Sequence, residues 1–159
     1  MPFDASSLLR FARRAVRALQ APPRQTKPHR TPSSYAGDFT GTPTISYAPR
    51  PDNRPDAGEI VWAWVPYQED HRQGKDRPVL LIGKHGKKLL GLMLTSRDRN
   101  SAHGSDPAYV DIGAGPWDRK GRPSEVRTDR IIQLAPDDVR RIGAVLPPAA
   151  FDRVVARLH

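Results

Sequence analysis

From residue 59 onward, large apolar residues come in short runs broken by polar turns. EIVWAWV (59–65) is apolar, β-branched and aromatic, the signature of a buried strand. PVLLIGK (78–84) and LLGLMLT (89–95) read as two further strands around a turn at His85–Lys88. Pro78 is placed to open its strand, because its missing N–H then falls at the end. AYVDIG (108–113), SEVR (124–127) and RIIQL (130–134) are shorter strands. PDDVRRIG (136–143) predicts a short helix, with Pro136 in its first turn and Gly143 past its end. The last segment, PPAAFDRVVARLH, sets Phe151, Val154, Val155 and Leu158 at i, i+3, i+4 and i+7, an amphipathic helix with one core face. The set predicts a mainly β domain, a small curled antiparallel sheet or barrel with a C-terminal helix.

A different pattern precedes it. Over 4–19, Leu8, Phe11, Ala12, Ala15, Val16 and Leu19 share one helical face, and Arg10, Arg13, Arg14 and Arg17 the other, with Asp4 as N-cap. Such a helix either docks on a membrane surface, RNA or a partner, or packs on its own domain or dimer mate. Residues 21–56 hold eight of the 17 prolines and few large apolar residues, which predicts an extended or mobile stretch. Its end, SYAPRPDNRPDAG, is a candidate for an arm lying across the barrel. The chain thus divides into a basic amphipathic helix (1–20), a Pro-rich linker or arm (21–57) and a folded domain (58–159). No internal repeat is visible.

Composition narrows the chemistry. Over 159 residues the formal charge is +9, which favours an anionic partner. The absence of cysteine excludes disulfides, thiolate zinc sites and a cysteine nucleophile. No apolar run approaches the roughly 20 residues of a membrane span, and the N-terminus lacks a secretory apolar core, so a cytoplasmic protein without a membrane partner is expected. The five histidines are scattered and form no ligand cluster, so neither a metal nor another cofactor is expected. GAG at 113–115 is too short for a phosphate-binding loop.

Three motifs, in order, carry a resemblance. GEIVWAWVPYQEDHRQGKDRPVLLIG joins a Gly-Glu-Ile-Val strand, a polar loop, Arg-Pro and an aliphatic strand. LMLTS ends a strand in Thr-Ser. RPSEVRTDRIIQLAPDDVRRIGAVLPPAAFDRVVARL closes with a strand, a short helix, a Gly-Ala-Val-Leu element and a helix. Over 58–159 this ordered set resembles the MazF/PemK/Kid toxin endoribonucleases. The resemblance implies an SH3-like barrel of the Kid/CcdB type used as a homodimer. It also implies sequence-specific, metal-independent cleavage of single-stranded RNA, and an acidic, largely disordered antitoxin as partner.

Metal-free RNA cleavage sets the ribose 2′-hydroxyl on the adjacent phosphorus. It needs a base, an acid for the departing 5′ oxygen, and stabilisation of the charge on phosphorus. By residue type alone Arg77 reads as a structural arginine paired with Asp76 or Glu69. The resemblance makes it the group that stabilises phosphate charge, with paired donors matching two oxygens. Thr95 ends a strand, where its hydroxyl can hold a phosphate oxygen or the ribose, and Ser96 offers a second hydroxyl; both alternatively satisfy loop backbone. His71 is a candidate for proton transfer, the chemistry that suits an imidazole near neutral pH. Glu69 and Asp70 are further base candidates, and the base stays unassigned. Gln73, Gly74, Lys75, Arg97 and Arg99 are candidates for an RNA groove. Tyr67, Trp117 and, less so, Trp64 are candidates for base stacking. The polar loop 96–107 is expected to be mobile and to close over RNA or yield to a partner. The competing reading is a non-catalytic RNA- or protein-binding module on the same barrel.

Overall fold

The computed structural model describes residues 35–96 and 106–158. The helix expected at 4–19 and the centre of the 96–107 loop, including Arg97 and Arg99, lie outside the described residues.

The strands are β1 (Glu59–Pro66), β2 (Gly74–His85), β3 (Lys88–Ser96), β4 (Tyr109–Gly113), β5 (Ser124–Arg127), β6 (Ile132–Leu134) and β7 (Val139–Val145). One helix, α1 (Pro148–Val155), follows them. All pairings between strands are antiparallel, in the order β4-β5-β3-β2-β1-β7, with β6 also on β3. β5 and β6 share β3, pairing with its two ends, Leu94–Ser96 and Leu89–Gly91. This shared pairing curls the sheet, and a 3-10 turn at Pro136–Asp138 links β6 to β7.

The continuous apolar runs of β1, β2 and β3 exist because both faces of these strands are buried. Val61, Ala63, Val65, Val79, Leu81, Leu89 and Met93 meet Ile132 and Leu134 on the concave face. Ile60, Leu80, Ile82, Leu90, Leu92 and Leu94 pack on the other face under Leu146, Phe151 and Val154. Gly91 faces Val79 at a spacing that leaves no room for a Cβ. The β2–β3 hairpin turns through Gly86 at φ +59°, with His85 paired to Lys88. α1 buries Ala150, Phe151 and Val154, as the i, i+3, i+4 spacing predicts, while Val155 and Leu158 pack at its margin.

Two local expectations are corrected. Residues 136–143 are not a helix: Pro136–Asp138 make a single 3-10 turn and Val139–Val145 are a strand. The free edge of β1 takes this segment as its partner, from Glu59↔Val145 to Ala63↔Val139, and ladder pairing outweighs a weak local helix signal. Pro78 does not open β2, which begins four residues earlier at Gly74. It sits where only β1 flanks the strand, since pairing with β3 begins at Val79. A proline is tolerated beside an open edge.

The proline-rich stretch is docked along its described part, 35–57. Ile45 bridges to Gly83, and Ser46 donates to the Ile82 carbonyl at 3.0 Å. Gly83 is required there, because the Thr44 carbonyl fills the space of a Cβ. Tyr47 stacks on Phe151 at 5.0 Å and donates its hydroxyl to the Leu146 carbonyl at 2.8 Å. Phe39 donates its amide to Ile131 at 2.8 Å, so the arm reaches from the helix face to the start of β6. Among the described residues no helix is long and apolar enough to cross a membrane.

Candidate active site

Arg77 lies on β2 opposite Ala63 of β1. It alternates onto the same face as Val79 and Leu81, the concave one. The last β2–β3 pair is Val79↔Met93. Two residues further in that register stand Arg77 and Thr95, on the same face. The strands part there because β3 turns to pair with β5, where Thr95 faces Glu125. Glu125 and Arg127, two apart on β5, both share the face of Thr95, while Val126 points into the helix-side core. The apolar concave face therefore ends in a polar rim of Arg77, Thr95, Glu125 and Arg127. Tyr109 and Asp111 of β4 extend it, opposite Arg127 and Glu125.

The rim is electrostatically uneven. Arg77 is half-buried and has no hydrogen-bond or ion-pair partner among the described residues. The structural alternative fails for Asp76, which is held by Arg140 of β7. Arg127 is oriented firmly: it donates to Asp129 at 2.5 Å and to Gln68 at 2.7 Å. The hydrogen bond to Asp129 raises its pKa further, so it stays a fixed cation. Gln68 belongs to the loop between β1 and β2, which is closed by Tyr67 N–H to the Gln73 carbonyl at 2.8 Å. The Gln68–Arg127 hydrogen bond thus ties the loop that carries His71 to the rim.

A second network adjoins the first. His71 is half-buried, with its ring edge-on to Tyr35 at 5.0 Å. Tyr35 donates its hydroxyl to Asp38 at 2.6 Å. Asp38 also accepts from Arg130 through both oxygens, at 2.9 and 3.1 Å. Arg130 is buried, its side chain 3% exposed. Burial pushes the Asp38 carboxyl up, but the hydrogen bonds from Arg130 and Tyr35 and the Arg130 charge outweigh it and hold the carboxyl below its usual range. Burial and then Asp38 drive the Tyr35 hydroxyl well above the ordinary phenol range, so it remains a proton donor to the carboxylate.

The sequence-predicted residues fall into three groups. Arg77, Thr95 and His71 come to one end of the sheet. Ser96 is exposed and pairs with Ser124, so it follows the other face. Gln73 and Lys75 are exposed at the loop and the start of β2, and Tyr67 is half-buried beside them. Gly74 does not line a groove, since Trp64 covers it. Asp70 is tied to Arg72 at 3.0 Å, and Glu69 is exposed.

Trp117 is a correction: it is 4% exposed in the core, with its indole N–H on Ser124 at 3.0 Å, and offers no stacking face. Trp64 is half-buried against Gly74. Arg127 and Glu125 were missed. Their signal was a short strand, SEVR, whose charged residues flank Val126 and so share one face. Tyr35, Asp38 and Arg130 carried no local signal, because their association joins positions 92 residues apart.

Solved structures of similar fold include three toxin-related chains. An endoribonuclease in complex with its cognate antitoxin from a mycobacterial species is 20% identical, with a TM-score of 0.47, covering 65% of this chain and 90% of its own. MazE-MazF from Deinococcus radiodurans gives 24%, 0.47, 67% and 94%. A second mycobacterial endoribonuclease gives 18%, 0.43, 69% and 91%. No curated protein matches the chain. The family of PemK-like, MazF-like toxins matches residues 56–159, most of the chain. The chain belongs to this family of toxins of type II toxin-antitoxin systems.

Proposed function

We propose that this protein is an endoribonuclease that cuts single-stranded RNA at preferred sequences, without metal, by attack of the ribose 2′-hydroxyl. The observation that carries the reading is the rim itself: two guanidiniums, a hydroxyl and a carboxylate share one face at the end of the barrel. Arg77, without a protein partner among the described residues, has its donors available for a phosphate. Arg127, pre-oriented by Asp129 and Gln68, adds a second fixed charge where negative charge develops. Thr95 positions the ribose or a phosphate oxygen. His71, in the loop bonded to Arg127, takes the proton-transfer role. Glu125, opposite Thr95, is the second group for it. Gln73, Lys75, Tyr67 and Arg97 are the further residues assigned to RNA contact.

The proposed partners follow from charge and family. A protein of +9 suits both RNA and an acidic antitoxin segment, and a related endoribonuclease has been solved with its cognate antitoxin. A homodimer is the proposed working form, in the cytoplasm.

The test is end-mapping on a long mixed-sequence RNA in EDTA. The expected products carry a 2′,3′-cyclic phosphate and a 5′-hydroxyl at recurrent sequences, and Arg77→Ala forms them about 10²–10³ more slowly while its thermal melt stays cooperative. RNA binding without cutting by the unaltered protein would instead favour a non-catalytic binding module.

A further inference from the structure

The family match begins at residue 56, so Tyr35 and Asp38 lie outside it. Both nevertheless stand in the network beside the rim. The arm carrying them is fixed at its far end by Tyr47 on Phe151 and in the middle by Ile45 on Gly83. At its near end Gln133 donates to the Gly37 carbonyl at 3.0 Å, and Asp38 closes on the buried Arg130. Tyr35 is thereby held through its hydroxyl on Asp38, and its ring packs T-shaped against the His71 ring. His71 and Arg127 both lie within electrostatic reach of the Asp38 carboxylate.

We infer that Tyr35 and Asp38 are positioning residues of the cleavage site: an arm outside the toxin domain fixes the His71 ring over the polar rim. This rests on the endoribonuclease reading. A loop histidine is otherwise free to rotate, and proton transfer demands a defined donor-acceptor geometry. The aromatic edge restricts the ring, and the Arg130–Asp38 clamp restricts the aromatic. The reaction itself is unchanged: the 2′ oxygen bonds to phosphorus, the bond to the 5′ oxygen breaks, and protons leave the first and reach the second. The arm sets the geometry of one of those transfers.

The experiment measures kcat and KM on a short RNA with a single cleavage site, using the full chain. Tyr35→Ala should lower kcat by about tenfold to a hundredfold with KM changed less than about threefold, the pattern of lost alignment. Tyr35→Phe keeps the ring but loses the hydroxyl that Asp38 holds, and should recover only part of kcat. In a His71→Ala background, Tyr35→Ala should add nothing, because the residue acts through His71. The inference is overturned if Tyr35→Ala matches the parent, if Tyr35→Phe cuts no faster than Tyr35→Ala, or if the Tyr35 and His71 effects add. If the unaltered protein cuts no RNA, the nuclease reading falls, and this inference with it.

Discussion

Asp38 and Arg130 form a clamp whose two halves are unequally exposed, and the inequality predicts an asymmetric response to mutation. The Arg130 side chain is 3% exposed and that of Asp38 25%. Asp38→Ala leaves a guanidinium buried with no counter-charge, which costs about 3–5 kcal/mol. Arg130→Met leaves instead a carboxylate that water reaches, and it removes charge-assisted hydrogen bonds worth about 1.5–3 kcal/mol. For a chain of this size each kcal/mol moves Tm by about 2–4 °C, so Asp38→Ala should melt about 6–20 °C below the parent. Arg130→Met should fall clearly less, and the double variant less than Asp38→Ala alone. Release of residues 35–39 would let water reach Arg130, so the free energy of docking the arm caps the loss.

The pH dependence has a definite sign. The Asp38 pKa is lowered in the fold, so its stabilisation is complete above the ordinary aspartate value of ~3.9 and is lost as pH falls through the lowered folded value. The gap between parent and Asp38→Ala should therefore be full at pH 7 and close on acidification below that value. Thermal melts by circular dichroism at a series of pH values measure both effects. An Asp38→Ala protein that melts with the parent at neutral pH, or above Arg130→Met, would refute the reasoning.

Three other outcomes are expected. Arg77→Ala should lower kcat by about 10²–10³, as for loss of one preorganised charge donor, with Arg77→Lys recovering only part, since an ammonium cannot reproduce the planar fork; single-turnover cleavage reads this. Gly83→Val should drive its side chain into the Thr44 carbonyl and undock the arm, reducing hydrogen-exchange protection at the Ser46 amide by about tenfold, the equivalent of roughly one net hydrogen bond, while the β1 and β2 amides keep theirs. Glu59 is buried, and burial, reinforced by the charges of Asp56 and Asp52, raises its pKa, so the fold disfavours its ionised form and loses stability as pH rises through that raised value. Glu59→Gln should thus raise Tm at pH 7 and give no gain in acid; an equal effect at both would count against burial of the charge as the cause.

The sequence by itself determined the β-rich class, the β2–β3 hairpin with its glycine turn, and the face of the C-terminal helix. These follow from periodicity and turn chemistry, which act over a few residues. It also marked Arg77, Thr95 and His71, through motifs whose order resembles a family. Tertiary structure alone decided the rest. Residues 139–145 became a strand because β1 offered an unpaired edge. Trp117 went inward because Ser124 of β5 was placed to accept its N–H. Arg77 and Thr95 share a face because the β2–β3 register carries past its last pair, and Arg127 joins that face because β5 pairs with the end of β3. Asp38 found Arg130 across 92 residues, where no local pattern reaches. Contacts of that range depend on how the sheet curls, and the curl arises from strands competing for shared edges, a property of the whole chain.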